Sequence, residues 1–123
     1  MNYHRLQEMK INYDYSITGK KESYTVYYSE HSWKTYYLDS HGKSLGVIEV
    51  NDYQNRGITI NKCFLNSDGS LRYSHVFNFN ENGNFDGIEE YFDFNTYDGV
   101  EKYWNDGNLI HESRTEGQNY RKH

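Results

Sequence analysis

Apolar and polar residues alternate along most of this chain, in short runs separated by turn-forming residues. In the first clear run, Ile11, Tyr13, Tyr15 and Ile17 alternate with polar residues. A period of two is typical of a strand with one buried face. The intervening segments are rich in Asn, Asp and Gly, which accept the backbone conformations of hairpin turns. These segments are residues 18–21, 40–43, 51–57, 66–69, 80–83, 95–99 and 105–107.

The pattern predicts an all-β fold, an antiparallel meander of about nine strands. The predicted strands are residues 10–17, 22–29, 33–39, 44–50, 58–65, 70–79, 85–94, 100–104 and 108–115. An open sheet would leave one apolar face and two edges bare. We therefore expect the meander to close as an up-and-down barrel or to fold into a two-layer sandwich.

Both ends of the chain are less regular. Residues 3–10 fit either a short N-terminal helix, with Leu6 and Met9 as its apolar stripe, or the start of the first strand. The length of 123 residues suits a single domain over residues 1–123, and we expect residues 116–123 to be a flexible tail.

The composition favours strands and a core built from rings. Hydrophobic residues make up 35% of the chain, but aromatic residues reach 18%, and there is no Pro and no Ala. Tyr can bury its ring while its hydroxyl stays hydrated. The chain shows neither an apolar signal core nor a run of membrane-spanning length, and its lone cysteine, Cys63, cannot form an internal disulfide. We therefore expect a cytoplasmic protein that does not contact membranes.

Negative charge is concentrated in the last third. The net charge is −5, yet the only base in residues 81–112 is Lys102. The acids of that segment are Glu81, Asp86, Glu89, Glu90, Asp93, Asp98, Glu101, Asp106 and Glu112. Alternation puts Glu89, Tyr91 and Asp93 on one face, and we expect Glu101 and Tyr103 to join them from the next strand. This surface is either a solvated outer face or a dock for a basic protein. We do not expect direct binding of nucleic acid there, because phosphate would be repelled.

The sequence carries no recognisable catalytic or metal motif. None of the six His residues forms a metal-binding spacing, and no Gly-rich loop between a strand and a helix is present to hold a nucleotide. Cys63 has no adjacent His and is interpreted as a packed small residue. We predict a protein that is not an enzyme and binds neither metal nor cofactor.

One polar cluster is expected inside the fold. His75 is in phase with Tyr73 on an apolar face, and a simple register across the next turn sets Glu90 against them. Buried ionisable groups must be paired. Tyr73, His75 and Glu90 would then form either a general acid–base pair in a cavity or a hydrogen-bonded core network. A bulge that turns Glu90 out to solvent is the third interpretation.

Two stretches resemble a known class of proteins. The Tyr/Asn/Gly hairpins of "YYLDSHGKSLGVIEV" and "NFNENGNFDGIEEYFDFNTYDGVEKYWNDG" are similar to the immunity proteins of bacterial contact-dependent growth inhibition and related polymorphic toxin systems. The same stretches resemble MORN-type or YD-type hairpin repeats, although the irregular spacing of their glycines departs from both.

The first resemblance implies a protein that binds and neutralises a cognate toxin, usually a basic nuclease. In this sequence we expect the toxin to dock on an acidic aromatic surface, in which Tyr91, Tyr97 and Tyr103 are the anchors. The expected acids are Asp86, Glu89, Asp93, Asp98, Glu101 and Asp106. The alternative is a small-molecule-binding β-barrel whose cavity is lined by Tyr73, His75 and Glu90. A third reading is a small hydrolase that uses His75 and Glu90.

Overall fold

The structure is a computed structural model that describes residues 10–15 and 21–117, with side chains for residues 22–117. Apart from a single 3-10 turn at Gln54–Arg56, the regular structure described is β-strand. The strands are β1 (Lys10–Tyr15), β2 (Lys21–Ser29), β3 (Ser32–Leu38), β4 (Ser44–Asp52), β5 (Ile58–Leu65), β6 (Leu71–Phe79), β7 (Gly87–Asp93), β8 (Gly99–Asn105) and β9 (Asn108–Thr115). No helix in the described ranges is long and apolar enough to cross a membrane.

The strands pair in sequence order in one antiparallel sheet, which confirms the predicted all-β meander. The described strands do not form the closed sheet that the sequence predicts. Within the described residues β1 pairs with β2 and β9 pairs with β8, so the sheet is open and no second layer covers it. The expected closure as a barrel or sandwich is therefore not confirmed by the described strands. Period-two alternation specifies which strands are neighbours, but closure depends on curvature and stagger, which alternation does not encode.

The two ends of the predicted domain are only partly described. The proposed N-terminal helix lies outside the described residues, except for Lys10, which begins β1. Of the expected C-terminal tail, Glu116 and Gly117 are described. The backbone N–H of Gly117 donates to Oδ1 of Asp98 at 2.8 Å, so this tail begins against the β7–β8 turn.

One face of the sheet carries most of the rings, and we call it the aromatic face. Ring contacts run across it from Tyr37 to Phe64 to Tyr73 to Tyr91, with centroid separations of 5.3–5.9 Å. Such offset pairs add to the stability of cross-strand contacts. Register places the following residues on this face: Tyr27, Trp33, Tyr37, Ile48, Val50, Ile58, Ile60, Lys62, Phe64, Tyr73, His75, Phe77, Phe79, Glu89, Tyr91, Val100, Lys102, Trp104, Glu112 and Arg114.

The opposite face, which we call the polar face, carries more hydroxyl, amide and charged side chains, although Tyr24, Val26, Tyr36, Val47, Cys63, Val76 and Phe92 also lie on it. It includes Lys34, Glu49, Asn61, Ser74, Asn78, Glu90, Glu101 and Ser113. A sheet with one apolar face and one polar face normally packs its apolar face on a second layer.

Burial reflects the missing layer. Among the described hydrophobic residues only Phe77 is buried, with 8% of its surface exposed, and it lies near the middle of the aromatic face. The side chains of the aromatic face are therefore mostly half-exposed to solvent and do not form a buried core.

Hairpin turns at the strand ends share one hydrogen-bond pattern. In the turns 39–43, 66–70 and 80–84, the first residue is Asp or Asn, and its backbone N–H bonds the carbonyl of the fifth residue at 2.8–2.9 Å. The N–H of the Gly at the fourth position returns to the carbonyl of the first residue at 3.0 Å. The recurring Asn/Asp-x-x-Gly spacing of the sequence is thus the chemistry of one turn type.

Candidate functional site

A hydrogen-bonded cluster joins three strands on the aromatic face. Nε2 of His75 on β6 lies 2.7 Å from Oε2 of Glu89 on β7. The indole N–H of Trp104 on β8 donates to the other carboxylate oxygen of Glu89 at 2.9 Å. Both oxygens of Glu89 are thereby engaged, and its side chain is only 16% exposed.

The pKa of Glu89 reflects two opposing effects. Burial by itself raises the pKa of this carboxyl group, but the hydrogen bonds from His75 and Trp104 together leave the pKa below its ordinary value. The carboxylate is therefore ionised at neutral pH and acts as the acceptor that ties β6, β7 and β8 together.

This cluster replaces the one expected from sequence. The register pairs Val76 with Glu90 and His75 with Tyr91, which places Glu90 on the polar face and leaves it exposed. The hydrogen-bond partner of His75 is instead Glu89, the residue before Glu90. The expected register set Tyr73 opposite Glu90, but Tyr73 pairs with Asp93, a shift of three residues. A shift by an odd number of residues moves every side chain to the other face of a strand, so Glu90 does not join Tyr73 and His75.

The surroundings of His75 form a shallow open depression of about 230 Å³. It is lined by His75, Glu89, Tyr91, Val100, Lys102 and Arg114. No Ser, Thr or Cys side chain lies among these residues to act as a nucleophile beside the His–Glu pair. In the part of the chain that the structure describes, no group of three or more His, Cys, Asp or Glu is arranged to hold a metal ion.

The predicted partner-binding residues fall into three places. Glu89, Tyr91 and Asp93 lie on the aromatic face, as alternation suggested. Glu101 and Tyr103 lie on the polar face, because β7 and β8 pair Glu90 with Glu101 and Glu89 with Lys102. The remaining four are located at or beside turns: Asp86, Tyr97, Asp98 and Asp106. The structure thus divides the expected single surface between two faces and the strand ends.

The aspartates at the strand ends hold turns in place. Oδ1 of Asp93 accepts the backbone N–H of Asn95 at 2.8 Å, and Oδ1 of Asp86 accepts that of Asp106 at 2.8 Å. Asp106 in turn accepts side-chain amides from Asn84 at 2.9 Å and from Asn80 at 2.7 Å. These hydrogen bonds lower the pKa of Asp106 below its ordinary value.

The polar face carries two neighbouring carboxylates, Glu90 and Glu101, that have no basic partner among the described residues. Glu90 and Glu101 lie directly opposite each other on β7 and β8, and neither forms an ion pair with a described residue. We call the depression around them, of about 240 Å³, the acidic groove. Its other lining residues are Ser74, Val76, Tyr91, Phe92, Gly99, Val100, Ser113 and Thr115, and none of them is basic.

Tyr103 borders this groove. Its hydroxyl donates to Oε1 of Glu101 at 2.6 Å. That hydrogen bond and the charge of Glu101 raise the pKa of Tyr103 above its ordinary value. The sequence prediction included Glu101 and Tyr103 among the partner-binding residues but placed Glu90 in a possible buried cluster, with exposure through a bulge as the alternative. The exposure of Glu90 follows from the β6–β7 register, which no local sequence signal specifies.

Comparison with known proteins adds no relative: no family model, curated protein or solved structure matches this chain.

Proposed function

We propose that this chain is an immunity protein that binds and neutralises a cognate basic toxin, with a nuclease domain as the expected target. The observation that carries the proposal is the pair Glu90 and Glu101, two carboxylates held opposite each other with no basic partner among the described residues.

Such a pair is costly in isolation. Like charges directly opposite each other on neighbouring strands destabilise a sheet. A Lys or Arg from a partner would remove this cost and gain charge-assisted hydrogen bonds. Because no described Lys or Arg fills that role within the chain, an external cation is the chemistry that fits the acidic groove.

Aromatic residues beside the carboxylates supply contact area. Phe92 lines the groove, and Tyr103 lies on the same face with its hydroxyl on Glu101. Aromatic anchors tend to dominate the free energy of protein–protein binding, whereas peripheral charges mainly raise the association rate. The aspartates at the strand ends add negative potential around the groove in this proposal, even though their Oδ1 atoms serve the turns.

The other readings have less support. A small molecule held inside a barrel needs a closed sheet, and the described strands form an open one. The groove's negative charge also disfavours nucleic acid as the direct ligand. An immunity role places the protein in the cytoplasm, where a nuclease toxin acts, and requires no catalysis by the chain itself.

The test requires a candidate toxin domain, sought in the gene that neighbours the gene of this chain. Calorimetry compares the wild type with the double variant Glu90→Gln, Glu101→Gln. The control is Glu22→Gln, Glu81→Gln, which makes the same change in net charge at exposed positions outside the groove. We expect the groove variant to bind about 10–100-fold more weakly and to lose protection against the toxin, with the control close to wild type. Equal binding by all three proteins, or no binding by the wild type, would reject the proposal.

A further inference from the structure

The feature that the proposed function leaves unexplained is the half-open aromatic face. Its centre, on β4 to β6, is mainly apolar, with Ile48, Val50, Ile58, Ile60, Phe64 and Phe77 around Lys62 and His75. Soluble monomers rarely expose contiguous apolar patches of more than a few hundred Å². Within the described residues, every extensive contact between strands joins neighbours in the sheet, so no described strand packs across this face.

We propose that the aromatic face is covered by the aromatic face of a second copy of this chain, so that two open sheets form one two-layer sandwich. Two sheets stacked face to face lie about 10 Å apart and interdigitate their apolar side chains. The dimer then supplies the second layer that one chain does not build from its described residues.

The area of the face matches what a stable dimer needs. Strands about 4.8 Å apart, with about seven residues of 3.3 Å each, give a face of roughly 900 Å² for β2 to β9. Two such faces bury about 1,800 Å² together, which is within the range of specific protein–protein interfaces.

The charges of the face also fit a second copy better than a basic partner. It carries the bases Lys62, Lys102 and Arg114, and the acids Glu89 and Glu112, with Asp52 and Asp93 at its ends. A face with both signs in near balance can meet an identical face without net repulsion, as a two-fold interface requires. A strongly basic partner, by contrast, would find three like charges here and none in the acidic groove.

Several of these charges already have partners that leave them compatible with close packing. Glu89 is held by His75 and Trp104, and Arg114 donates to Glu112 at 2.7 Å. Lys62 lies over the ring of Phe77, with Nζ 5.4 Å from its centroid. Lys102 and Arg114 lie on β8 and β9 near one edge of the sheet, where long basic side chains can lay their methylene stems over apolar surface and keep the charged group at the rim.

Both tryptophans of the chain report directly on this interface, because Trp33 and Trp104 lie on the aromatic face. Sedimentation equilibrium and tryptophan emission are measured on the full chain from about 1 to 100 µM, the range over which interfaces of this size commonly associate. We expect a mass of twice 14.8 kDa at high concentration, and a red shift of the emission on dilution as the dimer dissociates and the rings become hydrated.

Two matched variants locate the contact. Val50→Lys places a charge between Trp33 and Ile60 on the aromatic face, and Val47→Lys places the same charge on the polar face of the same strand. We expect Val50→Lys to weaken the dimer by about 30-fold or more, as is typical at the centre of an interface, and Val47→Lys to leave it intact. If Val50→Lys fails to fold, Ile60→Thr against Val76→Thr makes the same comparison with side chains that suit strands.

The results of these experiments distinguish what covers the aromatic face: a second copy, a different protein, or residues of the chain outside the described ranges. A monomer with solvent-exposed tryptophans at all concentrations would overturn the proposal and leave the face for a different protein. A monomer with protected tryptophans would also overturn it, since residues outside the described ranges would then cover the face. A dimer that dissociates in Val47→Lys but not in Val50→Lys would place the contact on the polar face and contradict the proposal.

Discussion

Nε2 of His75 lies 2.7 Å from Oε2 of Glu89, and this contact bridges β6 and β7 on the aromatic face. The same carboxylate accepts the indole N–H of Trp104 from β8. A single side chain therefore links three consecutive strands of a sheet that no described second layer supports. In such a sheet, contacts between neighbouring strands carry stability that a packed core would otherwise provide.

The pH dependence of stability tests this contact. Because the folded-state pKa of Glu89 is lowered, the unfolded state takes up a proton at a higher pH than the folded state does. The stabilisation is thus present above about pH 4.3, the ordinary value for Glu, and is lost as pH falls through the folded-state pKa. We expect urea-unfolding free energies between about pH 5 and 3 to fall less steeply in Glu89→Gln than in the wild type. Parallel curves for the two proteins would contradict this assignment.

The role of the indole N–H can be separated from that of the ring. Trp104→Phe removes the donor to Glu89 and keeps an aromatic ring against Phe85, whose centroid is 5.1 Å away. We expect a loss of about 1 kcal/mol in the free energy of unfolding for Trp104→Phe, as for one hydrogen bond, and about 3 kcal/mol or more for Trp104→Ala. Wild-type stability of Trp104→Phe in urea titrations would show that the hydrogen bond contributes nothing.

The backbone of Gly57 lies so close to the backbone of Phe79 that a side chain at this position would clash. A Cβ there would lie 1.9 Å from the carbonyl oxygen of Phe79, and its φ of +105° disfavours other residues. We expect Gly57→Ala to cost more than about 2 kcal/mol. The control, Gly69→Ala, has a φ of +91° but no atom within 4 Å of the added Cβ, so only the conformational cost of about 1 kcal/mol applies. Equal losses in thermal or urea unfolding would mean that the clash is relieved by local movement.

The acidic groove predicts a conflict between stability and binding. Glu90→Gln removes one of two opposed charges, so the isolated protein should gain about 0.2–1 kcal/mol, and the gain should shrink at high salt. The same variant should bind the toxin more weakly. Urea titrations at low and high salt, with Glu22→Gln as control, measure the first effect. A groove variant that is less stable than the wild type at low salt would argue that Glu90 serves the fold.

Strand positions were predictable because each run is bounded by residues with turn chemistry. The run ending at Leu65 was assigned residues 58–65, and β5 is Ile58–Leu65. Asn66, Asp68 and Gly69 form the turn that follows, through bonds such as Gly69 N–H to the carbonyl of Asn66. Local patterns of this kind are set by a few adjacent residues, so sequence alone contains them.

The candidate site was less predictable, because it depends on relations between strands. The β6–β7 hairpin has a turn at 80–84 and an isolated bridge between Phe79 and Phe85, and regular pairing resumes only from Val76 with Glu90. That offset decides that Glu89 meets His75 and that Glu90 faces outward. The open sheet was missed for a related reason, since alternation marks an apolar face but not what covers it.

The most direct test of the central claim labels carboxyl groups in the toxin complex and quantifies each site by mass spectrometry. Backbone exchange would not serve, because the two faces of a single sheet share the same amides. The account predicts that Glu90 and Glu101 are labelled much more slowly in the complex than in the free protein, while Glu22 and Glu81 are unchanged. Unchanged labelling of Glu90 and Glu101, with protection of Asp52 and Glu112 instead, would place the toxin on the aromatic face and contradict the account.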